Sequence, residues 1–302
     1  IKAFMGASTG DMLVDDPQVL EQLFEHAPLM VVTHCEYSPT IWDNEAKARE
    51  RFGEDVPFSE HPKIRSAEAC LASSTIAIEL ATRFDALLHV LHLTTAVEMG
   101  LFSPAHRSEK RITAEVCVHH LWFDESRYDE LGSDIKCNPA IKSARDREAL
   151  ITALNDGRID IIATDHAPHT IEEKAASYFK APAGLPLVQH ALLVLFDLMA
   201  DDQIPIELIV ERACHAPADL FGVVDRGYVR EGWFADLVLV DPGKPYLVSR
   251  DNVLAKCGWS PFEGHEFSSS IDTTIINGTV VYESGKLTGA IPGKRLDFTR
   301  SR

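Results

Sequence analysis

The sequence predicts an α/β fold: a parallel sheet interleaved with helices, followed by a small β module. Three observations predict it. Short β-branched runs alternate with longer amphipathic patterns as far as about residue 170, which is the signature of βαβ units. The runs are apolar throughout, as strands covered on both faces must be. Beyond residue 225 the texture changes to short alternating runs punctuated by Gly and Asn-Gly.

The elements follow in order. IKAF opens the chain as a strand carrying Lys2, and a glycine-rich turn, GASTG, comes after it. DPQVLEQLFEHA repeats its apolar residues at three and four and predicts a helix. LMVVTHC and ALLHVLHL are the next strands, separated by the polar stretch FGEDVPFSEHPKIRS, expected to be a long mobile loop over a site, and by the helix SAEACLASSTIAIELATRF. ITAEVCVHHL and DIIATDHA are the fourth and fifth strands, with the helix ARDREALITALND between them. Helical segments are expected around 187–200 and 206–214. In the β module, Asn277-Gly278 between TTII and TVVY signals a two-residue hairpin turn. A closed parallel barrel takes eight strands. Five strands and an opening without Met lead to the expectation that the first barrel strands lie upstream of Ile1. The expected domains are 1–224, a barrel of strands four to eight with their helices, and 225–302, part of a small β domain.

Composition narrows the function classes. A net charge of -17 opposes nucleic acid as a partner, because a phosphate backbone must be met by Lys and Arg. No apolar run reaches the ~18 residues of a membrane-spanning helix, so no membrane is expected. Six scattered cysteines without a CxxC pair read as reduced thiols in a cytoplasmic protein.

The chemistry concentrates at strand ends. His34 closes VVTHCE, His92 closes LLHVLHL and Asp165 follows DIIAT. The C-terminal ends of parallel strands are where barrel enzymes keep their reacting groups. One histidine there is ordinarily a packed or surface residue. Two histidines and a carboxylate at equivalent strand ends instead suit a borderline divalent metal such as zinc. Lys2 is on the first strand, where a snorkelling lysine is the ordinary reading. A buried lysine of lowered pKa can also take up carbon dioxide as an anionic carbamate able to bridge two metals.

The ordered set IKAFMG, THCE, LHVLHLTT, AEVCVHHL, KCNPAIK and TDHAPHTIEEK resembles the amidohydrolase superfamily, most closely the dihydroorotases. CHAPADLFGVVDRGYVREGWFADLVLVDP resembles the family's return from barrel to β-sandwich. The resemblance implies a (β/α)8 TIM-like barrel of amidohydrolase type. It also implies two Zn2+ per subunit bridged by carboxylated Lys2, with His34 and His92 on the second ion. Asp165 would bind the first ion and act as general base and acid. His169 and Asn138 would contact substrate, and Gly184 would let backbone amides approach it; a simple turn glycine is the equal alternative. The implied reaction is the reversible cyclisation of N-carbamoyl-L-aspartate to L-dihydroorotate in pyrimidine biosynthesis. Implied partners are that small molecule, a second copy in a homodimer, and aspartate transcarbamoylase.

One departure stands out. The family holds its first metal with an HxH pair followed by a substrate arginine, and no HxH occurs among the 13 histidines here. Either that pair lies upstream or this chain cannot build the first site. Allantoinase or hydantoinase chemistry, and a non-catalytic scaffold for aspartate transcarbamoylase, are the competing readings. His119 and His120 read as packing residues or as supports behind the ligands, His89 as facing away from the site, Cys35 as pointing to the opposite face from His34, and Trp259 as packing in the β module.

Overall fold

In a computed structural model, residues 1–6 and 12–299 are described; the turn expected in GASTG lies mostly outside them. Two compact units are formed, one of Ile1–Val188 with Ala255–Pro261, the other of Gln189–Leu254 with Phe262–Arg302.

The first unit is built on five parallel strands in the order β1-β2-β3-β4-β5, namely Lys2–Phe4, Val31–His34, Leu88–Val90, Ile112–Cys117 and Ile161–Ala163. Consecutive neighbours are the order in which a (β/α)8 barrel lays down its strands. The helices begin where their caps dictate. Asp16 accepts from the amides of Gln18 and Val19 to start Pro17–His26, and a capping box between Ser143 and Asp146 starts Ala144–Asn155. The helix Ala67–Arg83 buries a stripe of small residues, Ala69, Ser73, Ala77 and Ala81, which lets its backbone come close to its neighbours.

Two expectations change here. The strand expected through CVHHL stops at Cys117, and Val118–Trp122 turns into a short helix. FGEDVPFSEHPKIRS is not a free loop. It contains a 3-10 turn, Phe58–Glu60, and a helical turn, His61–Ile64, with His61, Ile64 and Arg65 buried. His61 explains it: its ring bonds the Tyr178 hydroxyl and the Cys137 carbonyl, each at 2.8 Å. Val56 and Ile64 also pack into a core cluster with Ile41, Ala69 and Tyr178. A stretch that is polar by composition is thus anchored by a few buried residues.

In the second unit, the helix Ala191–Ala200 and the helical segment from Ile206 to Phe221 precede an antiparallel sheet. Its strands are β6 (Leu237–Asp241), β9 (Ser270–Ile276), β10 (Thr279–Glu283) and β11 (Lys286–Leu287), in the order β11-β10-β9-β6. Tyr246–Leu247 (β7) and Glu266–Phe267 (β8) form a separate pair. The β9–β10 hairpin turns at Asn277 and Gly278, both with positive φ, 50° and 79°, as its sequence signal requires. Among the described residues, no helix is long and apolar enough to cross a membrane.

Candidate metal centre

Register puts the chemistry on one face. Lys2 pairs with Val32, Val32 with His89 and His89 with Thr113. Paired residues in a sheet share a face, and so do residues two apart. Lys2, Phe4, His34, His89, Glu115 and Cys117 therefore line the same side. Cys35 falls on the other side, as expected, and its thiol donates to the Thr33 hydroxyl. His89 does not face away. Its ring bonds Thr113 Oγ1 at 2.9 Å and Glu115 Oε2 at 3.0 Å. The expectation assumed strict alternation from His89 to His92, but β3 ends at Val90 and His92 has φ 38°. Left-handed backbone re-aims its side chain.

That re-aiming brings His92 to His34. Nδ1 of His34 is 3.1 Å from Nε2 of His92, and both residues are buried. Opposite, Nε2–H of His34 donates to Glu36 at 3.0 Å. Glu36 is fully buried and also ion-paired with Arg65. Burial alone would raise the Glu36 carboxyl, but the Arg65 guanidinium and the His34 ring outweigh it and hold it well below the usual carboxylate range. An ionised carboxylate only accepts, so His34 presents Nε2–H to Glu36. Burial, then neighbouring His34, push His92 down to about 4, so it is neutral near pH 7.

The two imidazoles thus meet nitrogen to nitrogen, and Nδ1 of His92 is buried without a hydrogen-bond partner. The pair fits a shared zinc ion, since Zn–N bonds of about 2.0–2.1 Å at a tetrahedral angle set nitrogens about 3.3 Å apart. A ligand histidine whose far nitrogen donates to a carboxylate is the usual support for such an ion. Glu36 and Arg65 escaped the sequence reading. The signal was in THCE, where residues 34 and 36 lie two apart on an extended chain. Gly6 makes room for this support, because a Cβ there would come within 2.1 Å of the Glu36 carbonyl oxygen.

The other candidates are placed less tightly. Asp165 follows β5 with φ 46° and is exposed. It acts electrostatically on His92 and His119 but does not complete a compact three-donor set with His34 and His92. Lys2 begins its strand rather than ending it, level with Val32, and its ammonium lies 4.7 Å from the Phe4 ring centroid. Asn138 keeps its Oδ1 buried and unpartnered, an acceptor left for a donor from outside the protein. The His169 carbonyl accepts from the Trp259 indole N–H at 2.7 Å. Trp259 therefore packs in the first unit, not in the β module; the chain returns there over Ala255–Pro261.

Gly184 has φ 147°, and a Cβ on it would sit 2.5 Å from the Ala167 carbonyl oxygen. Its amide donates to the Lys136 carbonyl at 2.9 Å, and its own carbonyl accepts from Lys174 Nζ at 3.0 Å. The amide that the resemblance assigns to substrate is thus engaged within the protein. What Gly184 supplies is close approach to Ala167 and His169. Lys136 of KCNPAIK and Lys174 of TDHAPHTIEEK are buried staples. Lys136 Nζ donates to the carbonyls of Tyr178 and Ala181, and Lys174 Nζ to those of Lys136, Pro182 and Gly184.

A sequence profile described as the Amidohydrolase family matches residues 19–281. The chain belongs to the amidohydrolase family. Among curated relatives, the dihydroorotase of Halobacterium salinarum is 34% identical over 297 residues, covering 98% of this chain and 67% of that protein. The dihydroorotase of Clostridium acetobutylicum is 34% identical over 221 residues, 73% of this chain and 51% of that protein. The chain thus spans between half and two thirds of the length of these relatives. Among solved structures, the L-hydantoinase (dihydropyrimidinase) from Arthrobacter aurescens superposes with a TM-score of 0.87 at 24% identity, covering 95% of this chain and 65% of that one. That likeness is one of fold, and the fold class is the α/β barrel of amidohydrolase type.

Proposed function

We propose that this amidohydrolase is a zinc-dependent dihydroorotase, interconverting N-carbamoyl-L-aspartate and L-dihydroorotate. The observation that carries the reading is the match to proteins named dihydroorotase, which reaches 98% of the chain. The His34–His92 pair, held by Glu36, supports the metal dependence. His34 and His92 would hold one ion, Asp165 would hold the other, and a carboxylated Lys2 would bridge the two. When bound, the ions supply Lewis acidity toward water and the ring carbonyl.

The remaining work belongs to side chains. Asp165 takes the proton of the attacking water and returns it to the departing ring nitrogen. The unpartnered Oδ1 of Asn138 accepts from a ring N–H. His169, its carbonyl tethered by Trp259, faces the substrate carboxylate. In the cyclising direction Asp165 first deprotonates the carbamoyl nitrogen, and the same groups act in reverse. We assign 1–224 to the barrel and 225–302 to the small β domain, and place the protein in the cytoplasm. A homodimer and aspartate transcarbamoylase are the proposed macromolecular partners.

The test is a substrate panel on the full-length protein with zinc counted per chain. Dihydroorotate should be opened in preference to allantoin and hydantoin. Turnover of either of those without dihydroorotate would overturn the reading. Less than one zinc per chain with no turnover would favour the scaffold role instead.

A further inference from the structure

Beside the family's metal ligands lies a second donor cluster. Cys117, His119 and His120 each place one donor atom within 4.8 Å of the others, the only such group of three among the described residues. All three are buried, at 0%, 1% and 3% exposure. Nδ1 of His119 and Nδ1 of His120 are both buried with no hydrogen-bond partner. Two buried, unsatisfied imidazole nitrogens are costly, at about 1–3 kcal/mol each, unless a ligand meets them.

Local geometry explains how the cluster arises. Cys117 is the last residue of β4, and its side chain is on the same face as Glu115 and Thr113. The chain then turns at once into the helix Val118–Trp122, so His119 and His120 fold back beside the strand end. Their ring centroids are 4.0 Å apart. Nε2 of His120 donates to the Pro139 carbonyl at 3.1 Å. That bond fixes the tautomer and leaves the Nδ1 lone pair bare, the arrangement that prepares a ligand histidine.

The geometry points to a further metal site, with Cys117, His119 and His120 as donors to a borderline soft divalent ion of the zinc class. One thiolate and two imidazoles are a zinc-type donor set, and three protein ligands leave one position open. Bonds of about 2.3 Å to sulfur and 2.0–2.1 Å to nitrogen require the donors to close to about 3.3–3.6 Å, a side-chain adjustment. Binding forms the metal–sulfur bond and releases the Cys117 thiol proton to solvent. Carboxylate charge lies nearby, since Asp165 acts on both Cys117 and His119.

The site is separable from the dinuclear centre by its sulfur, because Lys2, His34, His92 and Asp165 offer only nitrogen and oxygen. The experiment uses the full-length protein carrying Cys214→Ser, which removes the exposed thiol. After removal of metal by chelator, Co2+ is titrated in and the near-ultraviolet thiolate-to-cobalt band is followed. The expected result is a band that grows with added Co2+, saturates once the dinuclear centre and this site are filled, and disappears in Cys117→Ser. No band, or a band that survives Cys117→Ser, would overturn the assignment. Should Cys117→Ser fail to fold, X-ray absorption at the zinc edge of the zinc-loaded Cys214→Ser protein decides. A sulfur scatterer at about 2.3 Å supports the site, and a shell of nitrogen and oxygen alone refutes it. Either result is independent of which substrate the enzyme turns over.

Discussion

Removing the charge of Glu36 should separate two jobs that one side chain performs. Glu36 orients His34, and it neutralises Arg65 in a place where neither can reach water. The side chains are 0% and 10% exposed. For a pair so buried, neutralising one partner removes the other's opposite charge, at about 3–5 kcal/mol. Glu36→Gln should therefore destabilise the chain by that amount in urea unfolding. It should also weaken zinc at His34 and His92. Loss of a carboxylate supporting a ligand histidine typically costs 10–100-fold in metal affinity, or about 1.4–2.7 kcal/mol. Arg65→Met is the counterpart. In the double variant no charge is left stranded, so most of the stability should return. The zinc affinity should not return, because the neutral amide no longer fixes the His34 tautomer. Chelator-competition titrations and unfolding curves on the four proteins give the full cycle. Equal recovery of stability and affinity in the double variant would refute the positioning role, and so would unchanged affinity in Glu36→Gln.

Three further outcomes follow from buried groups elsewhere. Gly184→Ala should cost at least about 2 kcal/mol in denaturant unfolding, because φ 147° and a Cβ 2.5 Å from the Ala167 oxygen act together; a neutral substitution would refute the close approach. Lys174→Met takes the lysine donor from three carbonyls, of which that of Lys136 keeps the Gly184 amide, and should cost about 2–3 kcal/mol, with faster amide hydrogen exchange across 174–184 as the local signature. Burial pushes His190 from 6.5 down to about 4, so its neutral form is the folded one. Its contribution is complete above pH 6.5 and is lost as pH falls toward 4, at about 1.4 kcal/mol per pH unit. His190→Phe should remove one proton's worth of that slope, and an unchanged slope between pH 6.5 and 4 would count against the assignment.

The parallel strands were legible because each is a short apolar run with a chemical residue at or near its end, and that pattern survives in any register. His34, His92 and Asp165 were legible for the same reason. What escaped was whatever depended on departures from ideal geometry. His89 and His92 seemed to face opposite ways because alternation was extended past Val90, where the backbone abandons it. FGEDVPFSEHPKIRS looked mobile because eight of its residues are polar or charged by type, while its anchoring comes from His61, Ile64 and Arg65 meeting partners up to 117 positions away. Lys136 and Lys174 carried no structural role in the sequence reading. Nothing local in a sequence reveals that a lysine will spend its donors on carbonyls of a distant turn. Trp259 was read with the strands around it, because contact with His169 is invisible until the chain has doubled back.

The backbone at His92 and Asp165 sets activity against durability. Each is a non-glycine residue in left-handed conformation, with φ 38° and 46°, and such positions cost about 1 kcal/mol or more wherever they persist. Glycine at either would relax the chain and delete the proposed ligand. A laboratory selection for heat resistance alone would therefore drift toward glycine or asparagine at these two sites and deliver a sturdier protein stripped of two proposed metal ligands. Any stabilised version of this enzyme has to be chosen with zinc retention measured at every round, since the fold is better off without the residues its chemistry requires.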